Sequence, residues 1–334
     1  MKIAIVKLSA LGDIVHAMTV LQFIKLDNQQ IQIDWIVQEE YVQLLESNPD
    51  INQVHTVNLK KAKKMKSFSI FFTELLKLRK LGPYHTVIDM QGLIKSALIS
   101  KIIPSRVTVG FDKFSSREGI SAMFYNARYN ISYDENVILR NIQLANFALG
   151  IDITKEQVEQ KKPYLIPEKI FNLSNVGNTK KNILLVTGAS FKAKIYPARK
   201  YTQLIKKIDA NFLLLWGNDD EKKFVNDIAH KADNVFILEK LDLISLISII
   251  SQVDLVIGSD TGPTHMAWAL NIPSITLFGA TPGNRNSFQT SHNQIIESES
   301  KVNPYKINKT DFSIREIRVN DIVKMTRKLL KGIE

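Results

Sequence analysis

Short apolar runs that end in turn residues alternate with amphipathic stretches along most of this chain, and that alternation restricts its fold more than any other feature. In the first half, KIAIV (2–6), IQIDWIV (31–37), QVHTV (53–57), YHTVIDM (84–90) and VTVGF (107–111) have the length and β-branched content of strands. Residues 14–25, 41–47, 68–80 and 93–102 between them read as helices. Strands alternating with helices predict a parallel sheet with crossover helices. The stripe of Phe68, Phe71, Phe72, Leu75 and Leu76 is expected to pack against that sheet rather than face a membrane. A polar, lysine-rich stretch at 153–181 interrupts the pattern. NILLVTG (182–188), NFLLLWG (211–217), VFIL (235–238), VDLVIGS (253–259) and SITLFGA (274–280) then resume it. Two Rossmann-like α/β domains joined by a linker are the economical solution, and 334 residues suffice for two cores.

Composition narrows the class. Apolar residues make up 45% of the chain, which argues against disorder. No apolar stretch reaches the roughly 18 residues that cross a bilayer. The N-terminal run is broken at Gly12 and Asp13 and lacks the apolar core and cleavage site of a signal peptide, so a cytoplasmic location is expected. With no cysteine, disulfides and thiolate metal sites are excluded. The formal net charge of +11 favours phosphates, nucleic acid or an anionic membrane surface as partners. Its densest source is LKKAKKMK, with Lys60, Lys61, Lys63, Lys64 and Lys66, a run that would also serve as a solvated loop. No nucleic-acid-binding signature accompanies it, so no nucleic-acid partner is expected. No HExxH or other metal-ligand spacing is present, and no metal or resident cofactor is expected.

Ligands of open α/β sheets bind beyond the carboxyl ends of the strands, and here of two facing domains, so the turns after the strands are where chemistry is sought. VIGSDTGPTHMAWAL (256–270) places Ser-Asp-Thr-Gly-Pro between a strand and a helix read from Thr264 onward. Amides and the helix dipole near Thr261 and Gly262 suit a phosphate, and Asp260 suits a helix cap or a sugar hydroxyl. His265, taken alone, reads as a helix-surface or core histidine rather than a ligand. TGASFKAKIYPARKY (187–201) sets Ser190, Lys192 and Lys194 ahead of a helix begun by Pro197. In WGNDDEKKF (216–224), Asp219, Asp220 and Glu221 read as first-turn helix residues, one of which could hold a ribose diol. The first strand is followed by KLSALGDIVHA (7–17), with a single glycine, Gly12, where a dinucleotide fingerprint would need several. That absence disfavours a nicotinamide-dependent oxidoreductase. A basic lipid- or nucleic-acid-binding protein would explain the charge but not the strand-turn-helix sites. Asp13 is either a helix cap or a carboxylate offered to a ligand.

Taken together, KLSALGDIVHA, DMQGLIKSA (89–97), GFDKFSSRE followed by FYN (110–126), the Lys194–Pro197 KIYP and SDTGPTHMAWAL with LFGAT (259–281) resemble glycosyltransferase family 9, the lipopolysaccharide heptosyltransferases, over almost the whole chain. The resemblance implies a GT-B fold, with an acceptor domain at 1–165, a donor domain at 166–313 and a C-terminal helix at 314–334 returning to the first. It implies inverting, metal-independent transfer of L-glycero-D-manno-heptose from ADP-heptose to the first 3-deoxy-manno-octulosonic acid (Kdo) of Kdo2-lipid A. The enzyme would work at the cytoplasmic face of the inner membrane, with addition of the second heptose as the alternative. By the same resemblance Asp13 is the catalytic base. Lys194 lies at the donor phosphates with Ser190 beside them, Glu221 at the ribose, and Asp260, Thr261, Gly262 and His265 at the sugar and pyrophosphate. Gly12, Lys60, Lys61, Lys63, Lys64 and Arg117 lie on the acceptor side.

Overall fold

The computed structural model describes residues 1–58, 68–170, 173, 176, 179–232 and 234–332. Lys60, Lys61, Lys63 and Lys64 therefore lie outside the described residues. The chain divides into two units, Met1–Tyr164 and Leu165–Glu334, where the sequence placed the boundary after residue 165.

In the first unit, β1 (Lys2–Val6), β2 (Gln32–Gln38), β3 (Gln53–Val57), β4 (Tyr84–Asp89), β5 (Ser105–Phe111) and β6 (Ala127–Tyr129) form a six-stranded parallel sheet in the order β3-β2-β1-β4-β5-β6. The second unit repeats the plan with β7 (Asn182–Val186), β8 (Asn211–Leu215), β9 (Val235–Ile237), β10 (Leu255–Ser259), β11 (Ser274–Phe278) and β12 (Asn293–Glu297), ordered β12-β11-β10-β7-β8-β9. Both are the doubly wound Rossmann order, whose direction reverses between β1 and β4 in one sheet and between β7 and β10 in the other. The central strands are covered on both faces, which is why they read as unbroken apolar runs: β10 is buried throughout and β1 in all but its first residue.

Several expectations change. Residues 41–47 are not an α-helix; Glu39–Leu44 is a 3-10 helix. On the Phe68–Arg79 helix, Phe72 and Leu76 are exposed, because the inward face runs through Glu74 and Leu78. Glu74 accepts the Asn58 N–H at 3.1 Å. Where the sequence analysis expects a helix returning to the first domain, the Val319–Lys331 helix buries Ile322, Val323 and Leu329 in the core of the second unit, with Tyr196 and Tyr201. Its approach is secured by Tyr196 Oη, which donates to Ile317 O at 3.0 Å. β11 ends at Phe278, and a Cβ on the next residue, Gly279, would lie 2.5 Å from the Ile314 amide nitrogen.

Candidate active site

In the second unit the turns after β7, β10 and β11 converge at the reversal of strand order, on the carboxylate of Asp260. Lys194, in the 3-10 turn Lys192–Lys194, places Nζ 2.9 Å from Asp260 Oδ2. His265 Nε2 lies 3.0 Å from Oδ1, Thr281 Oγ1 donates to Oδ2 at 2.8 Å and Asn286 Nδ2 donates to it at 3.2 Å. Asp260, Lys194, His265 and Thr281 are all buried. Burial alone would push the Asp260 carboxyl up, but the Lys194 ammonium and His265 outweigh it and hold it well below the usual carboxylate range. Asp260 is thus a fixed anion, and Lys194 a cation pointed at the same turn.

The helix after this turn begins at Gly262 rather than Thr264, with Thr261 as its N-cap and Pro263 in its second position. Thr264 Oγ1 accepts the Thr261 N–H at 3.3 Å and itself donates to Ser259 O at 3.0 Å. Pro263 has no N–H, so Gly262 supplies the amide nearest the turn. Gly258, the glycine just before it, is required by packing: a Cβ there would stand 2.6 Å from Val186 Cβ. Glu221 bridges the turns after β7 and β8. Its Oε2 accepts the Gly217 N–H at 2.7 Å, and a Cβ on Gly188 would lie 2.4 Å from its carboxylate. Asn218 caps the helix that carries it, accepting the Glu221 N–H at 3.0 Å. Ser190 and Lys192 are exposed in the turn after β7, outside the Asp260 cluster.

In the first unit the turn after β1 is held by the turn after β4. Gln91 Oε1 accepts the amides of Leu8 at 3.0 Å and Ser9 at 3.1 Å, and Lys7 Nζ donates to Met90 O at 2.7 Å. Asp89 in turn accepts the Gln91 and Gly92 amides at 2.8 and 3.2 Å and the Tyr125 hydroxyl at 2.8 Å. Burial raises the Asp89 carboxyl above its ordinary range although these donors oppose it. Tyr125 reaches Asp89 by crossing Gly110, where a Cβ would stand 2.4 Å from its ring. Four separated stretches, KLSALGD, DMQG, GFD and FYN, are therefore one assembly. Its product is the start of the Leu11–Asp27 helix: Ala10 is the N-cap, Gly12 is half-buried, and Asp13 Oδ2 accepts the Ala10 N–H at 3.2 Å. The half-buried Asp13 carboxylate lies near enough to Tyr41 for its charge to help raise that phenol, after burial and Glu40. Arg117 is exposed in the connection from β5 to β6.

Sequence reasoning placed Lys194 and Asp260 in ligand-facing turns but did not foresee that they pair. Thr281 and Asn286 it missed: Thr281 had a signal, the turn following the 274–280 strand, whereas nothing in the spacing points to Asn286. Among the described residues no group of three or more His, Cys, Asp or Glu side chains is placed to hold a metal ion.

The profile of glycosyltransferase family 9 (heptosyltransferase) matches residues 76–312. The chain is 41% identical to lipopolysaccharide heptosyltransferase 1 of Campylobacter coli over 98% of its length and 99% of that protein's. To lipopolysaccharide heptosyltransferase 1 of Escherichia coli K12 it is 27% identical over 85% of this chain and 89% of the relative. Among solved structures, the E. coli heptosyltransferase WaaC with ADP superposes with a TM-score of 0.80 at 22% identity, covering 98% of this chain and 100% of that one. E. coli ADP-heptose lps heptosyltransferase II gives 0.68 at 18% identity, with 99% of each chain covered. The fold they share with this chain is GT-B.

Proposed function

The chain belongs to glycosyltransferase family 9, and from that premise we propose that it is an ADP-heptose:lipopolysaccharide heptosyltransferase, which moves L-glycero-D-manno-heptose from ADP-heptose to the first Kdo of Kdo2-lipid A. The observation that carries this reading is the 41% identity to a lipopolysaccharide heptosyltransferase 1 along nearly the whole of both chains. The second unit takes the donor. Lys194 and the Gly262 amide meet the diphosphate, with Thr261 and Ser190 at its edge, Glu221 takes the ribose diol, and Asp260 and His265 face the sugar. Supporting this assignment, the anion, the cation and a helix N-terminus meet at the strand-order reversal where doubly wound sheets bind ligands.

The first unit takes the acceptor. Asp13 receives the proton of the attacking Kdo hydroxyl as the new C1–O bond forms and the bond from C1 to the diphosphate breaks, with inversion at C1. A well-placed general base contributes about 10² to 10⁴ in rate. The departing ADP gains negative charge, which Lys194 and the Gly262 amide are preorganised to stabilise without a metal, each donor of this type typically contributing roughly 3 to 4 kcal/mol. Gly12 leaves room beside Asp13. Arg117 and the lysines at 60, 61, 63 and 64 attract the acidic acceptor, which the enzyme meets at the cytoplasmic face of the inner membrane.

The test is incubation of the purified protein with ADP-heptose and heptose-free Kdo2-lipid A. Release of ADP with an acceptor heavier by one heptose is expected. Absence of transfer to a verified acceptor overturns the reading, and transfer only to an acceptor already bearing one heptose reassigns the chain to the second-heptose step.

A further inference from the structure

The connection from β5 to β6 folds with its serine hydroxyls inward and three of its large apolar side chains outward. Ser115, Ser116 and Ser121 are buried. Ser115 Oγ donates to Asp112 Oδ1 at 2.7 Å, Ser116 Oγ to Asp112 O at 3.0 Å, and Ser121 Oγ to Gly92 O at 3.5 Å. The outer side carries Phe114, Ile120 and Met123, which are 69%, 62% and 76% exposed. Ile120 and Met123 lie three residues apart in the 3-10 helix Gly119–Phe124. Side chains at that separation eclipse in a 3-10 helix, so both project from one face. Phe114 belongs beside them, because Gly119 packs on the backbone of Lys113 so closely that a Cβ would stand 2.6 Å from Lys113 O. A loop exposed to water alone gains nothing from this inversion, and exposed apolar clusters mark contact surfaces.

The segment carries charges of both signs. Lys113 and Arg117 are exposed, and Lys113 Nζ lies 4.6 Å from the centroid of the Phe114 ring. The segment's two acids each accept hydrogen bonds, although Glu118 stays exposed. Asp112 accepts the Phe114 and Ser115 amides at 3.0 and 2.8 Å and Asn130 Nδ2 at 2.6 Å, and Glu118 accepts the Ile94 amide at 2.8 Å. What faces outward is therefore the apolar cluster flanked by Lys113 and Arg117, with Glu118 also exposed but held by the Ile94 amide.

We infer that Phe114, Ile120 and Met123 form a membrane-docking face that seats on an anionic bilayer, the three side chains entering the boundary between headgroups and acyl chains while Lys113 and Arg117 meet lipid phosphates. Apolar insertion combined with attraction to anionic lipid is the pattern of proteins that lie on a bilayer, and no helix among the described residues is long and apolar enough to cross one. This rests on the heptosyltransferase reading only in that an acceptor with acyl chains resides in such a bilayer. The test is sedimentation of the full chain with vesicles of phosphatidylethanolamine and phosphatidylglycerol that contain no acceptor, beside vesicles of phosphatidylcholine alone. The wild type should bind the anionic vesicles preferentially and release with salt. The Phe114→Ser/Ile120→Ser/Met123→Ser variant should bind them at least about tenfold less, since each buried apolar side chain commonly accounts for about that factor or more. The single Met123→Asp variant, which alters one exposed side chain, should weaken binding in the same direction. Both variants should retain transfer to a deacylated, water-soluble Kdo acceptor and lose it toward acceptor embedded in vesicles. Wild type that stays in solution, or binding that the substitutions leave unchanged, overturns the docking face. Failure of the wild type to transfer heptose to either acceptor overturns the enzymatic reading and leaves the vesicle result to be judged by itself.

Discussion

Asp13 has a structural duty and, in the proposed reaction, a chemical one, and they can be separated at the level of one atom. Its Oδ2 accepts the Ala10 amide, which an asparagine oxygen would also do, but an amide cannot receive a proton. Asp13→Asn should therefore keep the melting temperature within a few degrees of wild type and retain ADP binding, while kcat falls by about 10² to 10⁴. Near-normal turnover in the folded variant would return Asp13 to a capping role. Asp260 makes a pH prediction. Its carboxyl is depressed in the folded state, so the stability it contributes is complete above the ordinary aspartate value of about 4 and is lost as pH falls below that value toward the depressed one. Asp260→Asn leaves the buried Lys194 without its counter-charge and should cost about 3 to 5 kcal/mol at neutral pH. Because that variant has nothing left to titrate at this position, the gap between the two proteins should narrow on acidification. Thermal melts from pH 7 to 3 check this, and a gap of constant size would mean that the pair does not stabilise the fold through its charge.

At the scale of elements, the turn that carries Asp13 depends on a glutamine from its neighbour. Gln91→Leu removes the acceptor of the Leu8 and Ser9 amides. Each unsatisfied amide typically costs about 1 to 3 kcal/mol, and the turn carrying Asp13 loses its brace, so turnover should fall while ADP affinity stays unchanged. Gln91→Glu keeps an acceptor oxygen and should recover most of both losses. Equal damage from the two variants would show that the amide group does more than accept. This dependence also explains what was legible in the sequence. Strands buried on both faces announce themselves, but β6 and β12 carry no such signal. β6 has three residues of alternating exposure, and β12 begins and ends in polar residues at a sheet edge. Turn residues such as Asp13, Asp260 and Gly262 stand out because each follows a legible strand. Thr281 and Asn286 reach Asp260 from 21 and 26 residues away, and convergence of that kind has no trace in local spacing. Ser-Asp-Thr-Gly-Pro reads as a turn with the helix starting at Thr264, yet the helix starts at Gly262, because proline fits the first turn, where its missing N–H has no helical partner.

For the whole molecule, the repeated strand order gives two units with the same reversal point and different contents. In the second, β7 and β10 feed turns that hold a buried ion pair, an arrangement suited to an anionic ligand that competes for Lys194. In the first, β1 and β4 feed turns that are braced by a neutral glutamine and present a carboxylate, which suits proton transfer and disfavours a diphosphate. The proposed reaction divides donor and acceptor chemistry between two copies of one topology, and on that proposal ADP alone should recognise only one of them. At ADP concentrations about 100 times Kd, the unit that binds it gains roughly 2.7 kcal/mol. Hydrogen exchange on the full chain should then show slowed amides in the turns after β7, β8 and β10, around Gly188, Gly217 and Gly262, with the amides of Leu8 to Asp13 unchanged. Lys194→Ala should weaken that protection by removing the cation at the diphosphate, without shifting exchange in the first unit. If ADP instead slowed exchange at Leu8 to Asp13 as strongly as at Gly262, the nucleotide would be engaging the braced turn directly, and the division of the two substrates between the units would have to be abandoned.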